Sequence, residues 1–324
     1  MTTPLGFRAL IVVGPTASGK TALAHGIADG LRARGVSTEL VNLDAFQIYR
    51  GVSAGTAKPS AEEVNRYRYH CIDFAEPDAR LDAQMFARLA HEACGAIFGR
   101  GAVPIAVGGS GLYLRAFLHG LDPLPEKNDF VRDFLRSSAA RWGWNHLHRW
   151  LELVDPVRAT ELHPNDGVRI ERALEIALIT GERPSAQRTR TGEPGRQTSL
   201  FDAFVIQVDA DDATLRERIT RRLPVLMGLG WESEVRDLMG RFGTQLPELQ
   251  SMKAIGYREV LEAVSRGEET VNWADVAGRI ATLTWQYARR QRVWNAKERC
   301  DLSFSHERDL TEEATATVLG WWNG

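Results

Sequence analysis

The residues Gly14, Pro15, Thr16, Ala17, Ser18, Gly19, Lys20 and Thr21 satisfy G-x-x-x-x-G-K-[ST], a spacing that wraps backbone around phosphate. Gly14 and Gly19 permit a tight turn in which successive N–H groups point at one anion. The helix that follows adds the positive end of its dipole. Lys20 then reaches the terminal phosphate oxygens, and the Thr21 hydroxyl is placed to hold Mg²⁺. The loop does not name the polyphosphate: ATP, GTP or another diphosphate fits it.

Three further groups of residues could do chemistry beside such a loop. Asp44 ends an apolar run, and a carboxylate there can take a proton from a nucleophile, support Mg²⁺ through a water, or cap a loop. Asp73, after Ile72, is a second polar group of the same kind. Arg218, Arg221 and Arg222 share one helical face, with Arg216 off it. That cluster either closes over a diphosphate as a lid or lies solvated beside Glu217. Near the C-terminus Arg289, Arg290 and Arg292 interleave with Trp285, Tyr287 and Trp294, a pattern that suits RNA phosphates and stacked bases as well as a helix core. His146 and His148, two apart on a helix, face different ways and do not form a metal pair.

These residues need elements to hold them. Residues 8–13 (RALIVV) read as a buried strand, and Leu23, Ala24, Ile27, Ala28 and Leu31 recur at helical spacing after the loop. Residues 38–43 and 103–107 read as further strands, with a helix over 81–98 between them and loop over 45–60. The alternation predicts an α/β fold: a P-loop-containing open, mainly parallel sheet flanked by helices. Ligands of such sheets bind at the carboxyl ends of strands, where the P-loop, Asp44 and Gly108–Gly111 should converge. Residues 130–142, 147–154 and 167–179 are helical, the last capped by Asp166 and closed by Gly181. The Arg-, Gly- and Pro-rich stretch 183–199 reads as a flexible loop. Segment 121–200 is therefore an all-helical insertion domain in a core made of 1–120 and 201–324. Within that core 201–208 is strand-like, 211–227, 251–264 and 273–297 are helical, and a last strand lies near 301–304.

Composition narrows the options. A chain of 324 residues with 44% hydrophobic and 25% charged residues can bury a substantial core. Its net charge of −2 argues against indiscriminate coating of nucleic acid, so any RNA role must rest on local basic patches. Cys71, Cys94 and Cys300 have neither disulfide nor zinc spacing, which favours a reducing, cytoplasmic setting. No stretch approaches a membrane span, and the N-terminal residues lack a long apolar signal region.

Taken together the motifs resemble one family, the bacterial tRNA dimethylallyltransferases. The resemblance runs from the P-loop through Asp44, Gln47 and Tyr49, Gly55-Thr56-Ala57-Lys58-Pro59, His70, Asp73 and Gly108–Tyr113. It continues through Pro164-Asn165-Asp166, Arg169, Arg172 and Glu175, then Gly230, Glu234 and Ile255-Gly256-Tyr257, and ends with Thr284, Arg289-Arg290-Gln291 and Trp294. It implies that residues 14–21 and Arg222 hold the diphosphate of dimethylallyl diphosphate, with Mg²⁺ on Thr21, in place of ATP. It implies transfer of the dimethylallyl group to N6 of adenosine 37, with Asp44 as general base and Lys20, Ser110 and Arg132 at the reacting centre. The anticodon stem-loop would be touched by Asp44, Ala45, Phe46 and Gln47, by Ser110 and Arg132, and by Val168, Arg169, Ile170, Glu171 and Arg172. Lys253, Gly256, Tyr257 and Arg258, with Arg289, Arg290, Gln291, Arg292 and Trp294, would complete the grip. The expected enzyme is a cytoplasmic monomer. The chain departs from the family's usual pattern at Ala45 (commonly Ser), Ser110 (Thr), Trp285 (Arg) and Val293 (Thr). A P-loop small-molecule kinase and an RNA-binding NTPase without group transfer are the rival readings of the same motifs.

Overall fold

The structure, a computed structural model, describes residues 5–122, 124–188, 199–267, 271–305 and 310–324. The chain divides into two compact units, one comprising Met1–Gly120 with Ser199–Gly324 and the other Leu121–Thr198.

The first unit begins with β1 (Arg8–Val13) and α1 (Lys20–Ala33), followed by β2 (Thr38–Asn42), α2 (Ala61–Tyr67) and β3 (Tyr69–His70). Then come α3 (Ala83–Gly99), β4 (Val103–Gly108) and α4 (Gly111–His119). In the second unit lie α5 (Asp129–Trp142), α6 (Trp144–Val154), α7 (Pro156–Glu161), α8 (Gly167–Thr180) and α9 (Pro184–Arg188). The first unit resumes with β5 (Asp202–Asp209), α10 (Asp212–Gly228), α11 (Trp231–Phe242) and α12 (Tyr257–Ser265). It ends with α13 (Trp273–Asn295), β6 (Leu302–Ser305) and α14 (Thr311–Asn323).

The six strands form one sheet in the order β3-β2-β4-β1-β5-β6, every pair parallel. β1 is central, between β4 (Val12 beside Val107) and β5 (Val12 beside Ile206). Covered on both faces, it is apolar nearly throughout, as such strands must be. Ala24, Ile27, Ala28 and Leu31 of α1 pack on Leu10, Val12, Leu40 and Ile105, and Ala314 and Val318 of α14 join the same core. Close approach of α14 to α1 depends on glycine: a Cβ on Gly30 would come 2.8 Å from the Thr315 side chain.

Two expectations shift. The second strand stops at Asn42 because the Asn42 side chain turns along the chain, accepting from the Asp44 N–H (3.0 Å) and donating to the Cys71 carbonyl (2.9 Å). The stretch read as loop over 183–199 begins with α9, since Pro184 suits a first helical turn and Ser185 donates to Asp155 from both its N–H and its hydroxyl, each at 2.7 Å. Residues 189–198 of that stretch lie outside the described residues.

The second unit has its own core of Leu135, Leu147, Leu151, Ile170 and Leu174. Glu175, fully buried, anchors it, accepting from Arg132 (2.7 and 2.8 Å), Arg172 (2.6 Å) and the Asn128 N–H (2.8 Å). Burial alone would raise its pKa, but these donors outweigh it and hold the carboxyl down at about 2.

Candidate active site

The carboxyl ends of β1, β2 and β4 open on one cavity of about 520 Å³, lined by Thr16, Ala17, Lys20, Thr21, Asp44 and Gly108 among others. This is the convergence that the strand order demands.

The P-loop is tightly constrained. Gly14 passes directly under the Val208 carbonyl, where a Cβ would also meet the Ser18 hydroxyl at 2.6 Å. Ala17 (φ 67°) and Gly19 (φ 98°) take left-handed conformations, uncommon for alanine and natural for glycine. Two loop amides are already bonded: Thr16 N–H donates to Gln291 Oε1 (2.8 Å) and Ser18 N–H to the Pro15 carbonyl (3.2 Å). Arg218 donates to the carbonyls of Ala17 (3.3 Å) and Ser18 (3.0 Å), holding the loop from outside. Burial pushes the Lys20 ammonium down to about 8, against the opposing pull of Asp44 and with a further push from Arg222. The Arg222 guanidinium is itself lowered by burial.

Asp44 lines the same cavity as the loop, close enough for its charge to act on Lys20. Its Oδ1 accepts from Phe46 N–H (2.8 Å) and Gln47 N–H (3.4 Å), which fixes the carboxylate plane. Its Oδ2 has no hydrogen bond among the described residues, so one oxygen remains to accept a proton. The Ser110 hydroxyl is buried and bonds the Tyr287 hydroxyl at 3.2 Å. Burial, then the nearby Asp44 charge, pushes the Tyr287 phenol up to about 12, so it remains protonated. The opposite wall is apolar: Ile219, Leu223 and Leu226 at helical spacing on α10, with Trp231 and Ile280. Arg222, from that same face of α10, meets the cavity between the apolar wall and Lys20.

Among the described residues no group of three or more His, Cys, Asp or Glu could hold a metal ion. What the loop offers Mg²⁺ is the Thr21 hydroxyl, on the same cavity as Asp44. Mg²⁺ is commonly held by one or two protein oxygens, with substrate phosphates and water completing the octahedron, and the residues fit that mode.

The residues expected to touch RNA divide by burial. Arg290, Lys253, Phe46 and Gln47 line the cavity, and Arg258 and Arg289 are exposed. Gln291 is interior, joining Thr16 to the Gly109 carbonyl (2.9 Å). Trp294 packs on Gly111 at the start of α4, and Arg292 pairs with Asp209 (3.0 Å) and Asp212 (2.6 Å). Ala45 is buried, as is Tyr257, which donates to Glu234 at 2.8 Å, while Gly256 lies against the Trp231 indole. The physical reasons differ: Gln291, Arg292 and Tyr257 are held by polar partners, and Trp294 and Gly256 by close packing of α4 on α13 and of α12 on α11. In the second unit Val168 and Arg169 are exposed. Ile170 is core there, Glu171 pairs with Arg136 (2.8 Å), and Arg132 and Arg172 are bound to Glu175. Asp73 pairs with Lys58 rather than lining the cavity. Glu234, which the resemblance included without a role, accepts from Tyr257 and from the backbone of Ser53 and Ala54. No local pattern marks such a link, because its partners lie far away in the chain.

Comparison with known proteins places this geometry. The IPP transferase family profile matches residues 47–298, and the isopentenyl transferase profile matches residues 7–83. A tRNA dimethylallyltransferase of Anaeromyxobacter dehalogenans (strain 2CP-C) is 42% identical over 292 residues, covering 90% of this chain and 93% of the relative. One from Halorhodospira halophila (strain DSM 244 / SL1) is 37% identical over 324 residues and covers 100% of both. The crystal structure of the full-length tRNA isopentenylpyrophosphate transferase from Bacillus halodurans superposes with TM-score 0.67 at 29% identity, covering 98% of this chain and 97% of that one. A eukaryotic dimethylallyltransferase acting on tRNA, at 23% identity and TM-score 0.77, shares the fold.

Proposed function

This chain belongs to the IPP transferase family of tRNA dimethylallyltransferases, and from that premise we propose how its own residues carry the transfer. The enzyme moves a dimethylallyl group from its diphosphate to tRNA. The acceptor we assign is N6 of adenosine 37, presented by the anticodon stem-loop.

The observation that carries the reading is one cavity with three walls: phosphate-binding backbone with Lys20, the carboxylate of Asp44, and the apolar face of α10. A diphosphate ester with a short hydrocarbon tail matches the first and third walls. An exocyclic amine on a flat base matches the second. Lys20, Arg222 and the loop amides not already bonded stabilise charge gathering on the departing diphosphate, where fixed donors act most strongly. The Thr21 hydroxyl would hold Mg²⁺, which would supply further neutralisation of charge on the leaving oxygens. As the C1–O bond breaks and the N6–C1 bond forms, nitrogen becomes positively charged. Oδ2 of Asp44 takes its proton, and diphosphate leaves. The Phe46 and Gln47 amides keep that carboxylate aimed. Tyr287, neutral and bonded to Ser110, bounds the space beside it.

Three free cysteines accord with a cytoplasmic enzyme, and among the described residues no helix is long and apolar enough to cross a membrane. We assign it a monomeric state, testable by light scattering. The function is tested by incubating the protein with dimethylallyl diphosphate, Mg²⁺ and unmodified tRNA, then analysing nucleosides by mass spectrometry. Prenylated adenosine lost with Lys20→Ala is the expected result. Phosphoryl transfer from ATP to a small acceptor, without prenylation, would establish the kinase instead.

A further inference from the structure

Two residues have no role in that account: Trp285, which stands where the family commonly has Arg, and Arg216, off the face of α10 that meets the P-loop. The structure brings them together. The Arg216 guanidinium lies 3.7 Å from the centroid of the Trp285 ring, and Arg289, one turn along α13, lies 5.0 Å from the same ring. Arg290 in turn lies over Tyr287 at 5.9 Å.

Both cations on Trp285 are exposed, and neither has an ion pair or hydrogen bond with any described residue. Their neighbour Arg292 shows the contrast, since it is neutralised by Asp209 and Asp212. Tyr67 is also flanked by two guanidiniums, Arg32 and Arg66, but there Arg66 is paired with Asp29, whereas the pair on Trp285 has no carboxylate among the described residues. The ring attracts each cation, and their mutual repulsion, though reduced by water and salt at this exposed surface, favours an anion shared between them. The half-buried indole has its N–H enclosed and unbonded, and guanidinium covers its face, so it offers neither a donor nor an open stacking surface. The guanidinium edges remain, and these suit phosphate oxygens. Thr284 and Tyr287, on either side of Trp285, line the cavity, as does Arg290.

We propose that Arg216, Trp285 and Arg289 form a binding site for an RNA backbone phosphate at the rim of the cavity, next to the nucleotide whose base enters it. The proposal rests on the reading of tRNA as substrate. Trp285 is then a positioning residue that aims two cations, and α10 joins α13 in holding RNA.

The test uses the full chain with Arg216→Ala, Trp285→Ala, Trp285→Phe and the pair Arg216→Ala/Arg289→Ala. Anticodon stem-loop binding is measured by anisotropy across a salt series, and pyrophosphate binding by calorimetry. Arg216→Ala should weaken RNA binding several-fold and make the salt slope shallower by about 0.7–1, the value of one phosphate contact. Trp285→Ala should match the double arginine variant, and Trp285→Phe, which keeps an aromatic face, should recover part of the loss. Pyrophosphate affinity should not change. Arg216→Ala is an exposed substitution and carries the test alone should Trp285→Ala not fold. A wild-type slope and affinity in Arg216→Ala would overturn the proposal while leaving the functional reading intact. Failure of the wild-type protein to bind or prenylate the RNA would overturn both.

Discussion

Gln291 of α13 and Thr16 of the P-loop are joined by a 2.8 Å hydrogen bond across 275 positions of sequence, the loop N–H donating to the side-chain oxygen. The same amide donates from Nε2 to the Gly109 carbonyl at 2.9 Å, and only 3% of Gln291 is exposed. Gly109 has no room for a side chain here, since a Cβ would come 2.5 Å from the Gly14 carbonyl oxygen and 2.6 Å from Nε2 of Gln291. One buried side chain thus ties together the ends of β1 and β4 and the helix that carries Arg289 and Arg290.

Removing it should be felt at the diphosphate. Gln291→Ala leaves the Thr16 N–H without its partner, a loss of about 1–2 kcal/mol in loop order. Pyrophosphate affinity by calorimetry should fall roughly 5- to 30-fold, with anticodon stem-loop affinity little altered. The opposite pattern, RNA binding lost and pyrophosphate binding kept, would make Gln291 an RNA contact after all.

This bond also marks the limit of what the chain discloses by itself. The P-loop, the strand before it and the helix after it are legible because their periodicity and spacing are local. Asp44 is legible because a parallel sheet puts strand ends together. The helical segment beyond Gly120 is legible from its breaker residues and helical spacing. Burial of Gln291, Tyr257 and Glu171 is not, because polar side chains are placed inside by partners hundreds or tens of positions away. The short β3 and α9 escape for another reason: two and five residues carry too little pattern to register.

Lys20 gives the enzyme a pH dependence. Burial lowers its ammonium to about 8, so raising pH through that value removes the charge that attracts diphosphate. Binding of diphosphate favours the charged form, and by linkage the protein takes up a proton on binding above about pH 8. Pyrophosphate affinity should therefore weaken as pH rises past 8. Calorimetry at pH 8.5 in two buffers of different ionisation enthalpy should report uptake of a fraction of a proton, absent in Lys20→Met. Identical heats in the two buffers would refute it.

Glu175 governs the second unit. Its pKa is held near 2, below the ordinary carboxyl value of 4.5, so its contribution is complete above about pH 4.5 and is lost as pH falls toward 2. Glu175→Gln removes the charge facing Arg132 and Arg172 in a buried site and should destabilise this unit by about 3 kcal/mol at neutral pH. Hydrogen exchange on the intact chain should show faster exchange concentrated in α5 and α8, with the β1 and β4 amides unchanged. Uniform exchange across both units, or none, would contradict this assignment.

The last prediction concerns Asp44. Asp44→Asn keeps the size and an oxygen able to accept from the Phe46 and Gln47 amides, so the turn should survive. What it loses is the ability to take the amine proton. Transfer should slow by roughly 10²–10⁴-fold, the usual worth of a general base, with tRNA and diphosphate affinities nearly normal. Because proton acceptance belongs to the transition state, the loss should fall on kcat more than on KM. Ala45, where the family commonly has Ser, removes one neighbouring hydroxyl, which by itself would argue for the lower end of that range. The structure gives a reason to expect more: the carboxylate is oriented by backbone N–H groups, and the Asn42 side chain accepts from the Asp44 N–H at 3.0 Å, none of which needs a hydroxyl at position 45. The middle of the range is therefore expected. Single-turnover measurements with saturating tRNA separate this step from binding and release. Transfer at the wild-type rate would make Asp44 a binding residue. Asp73 would then be a poor substitute, since its carboxylate is paired with Lys58 and is not part of the cavity lining, and the other polar groups of that lining would become the place to look for the proton acceptor.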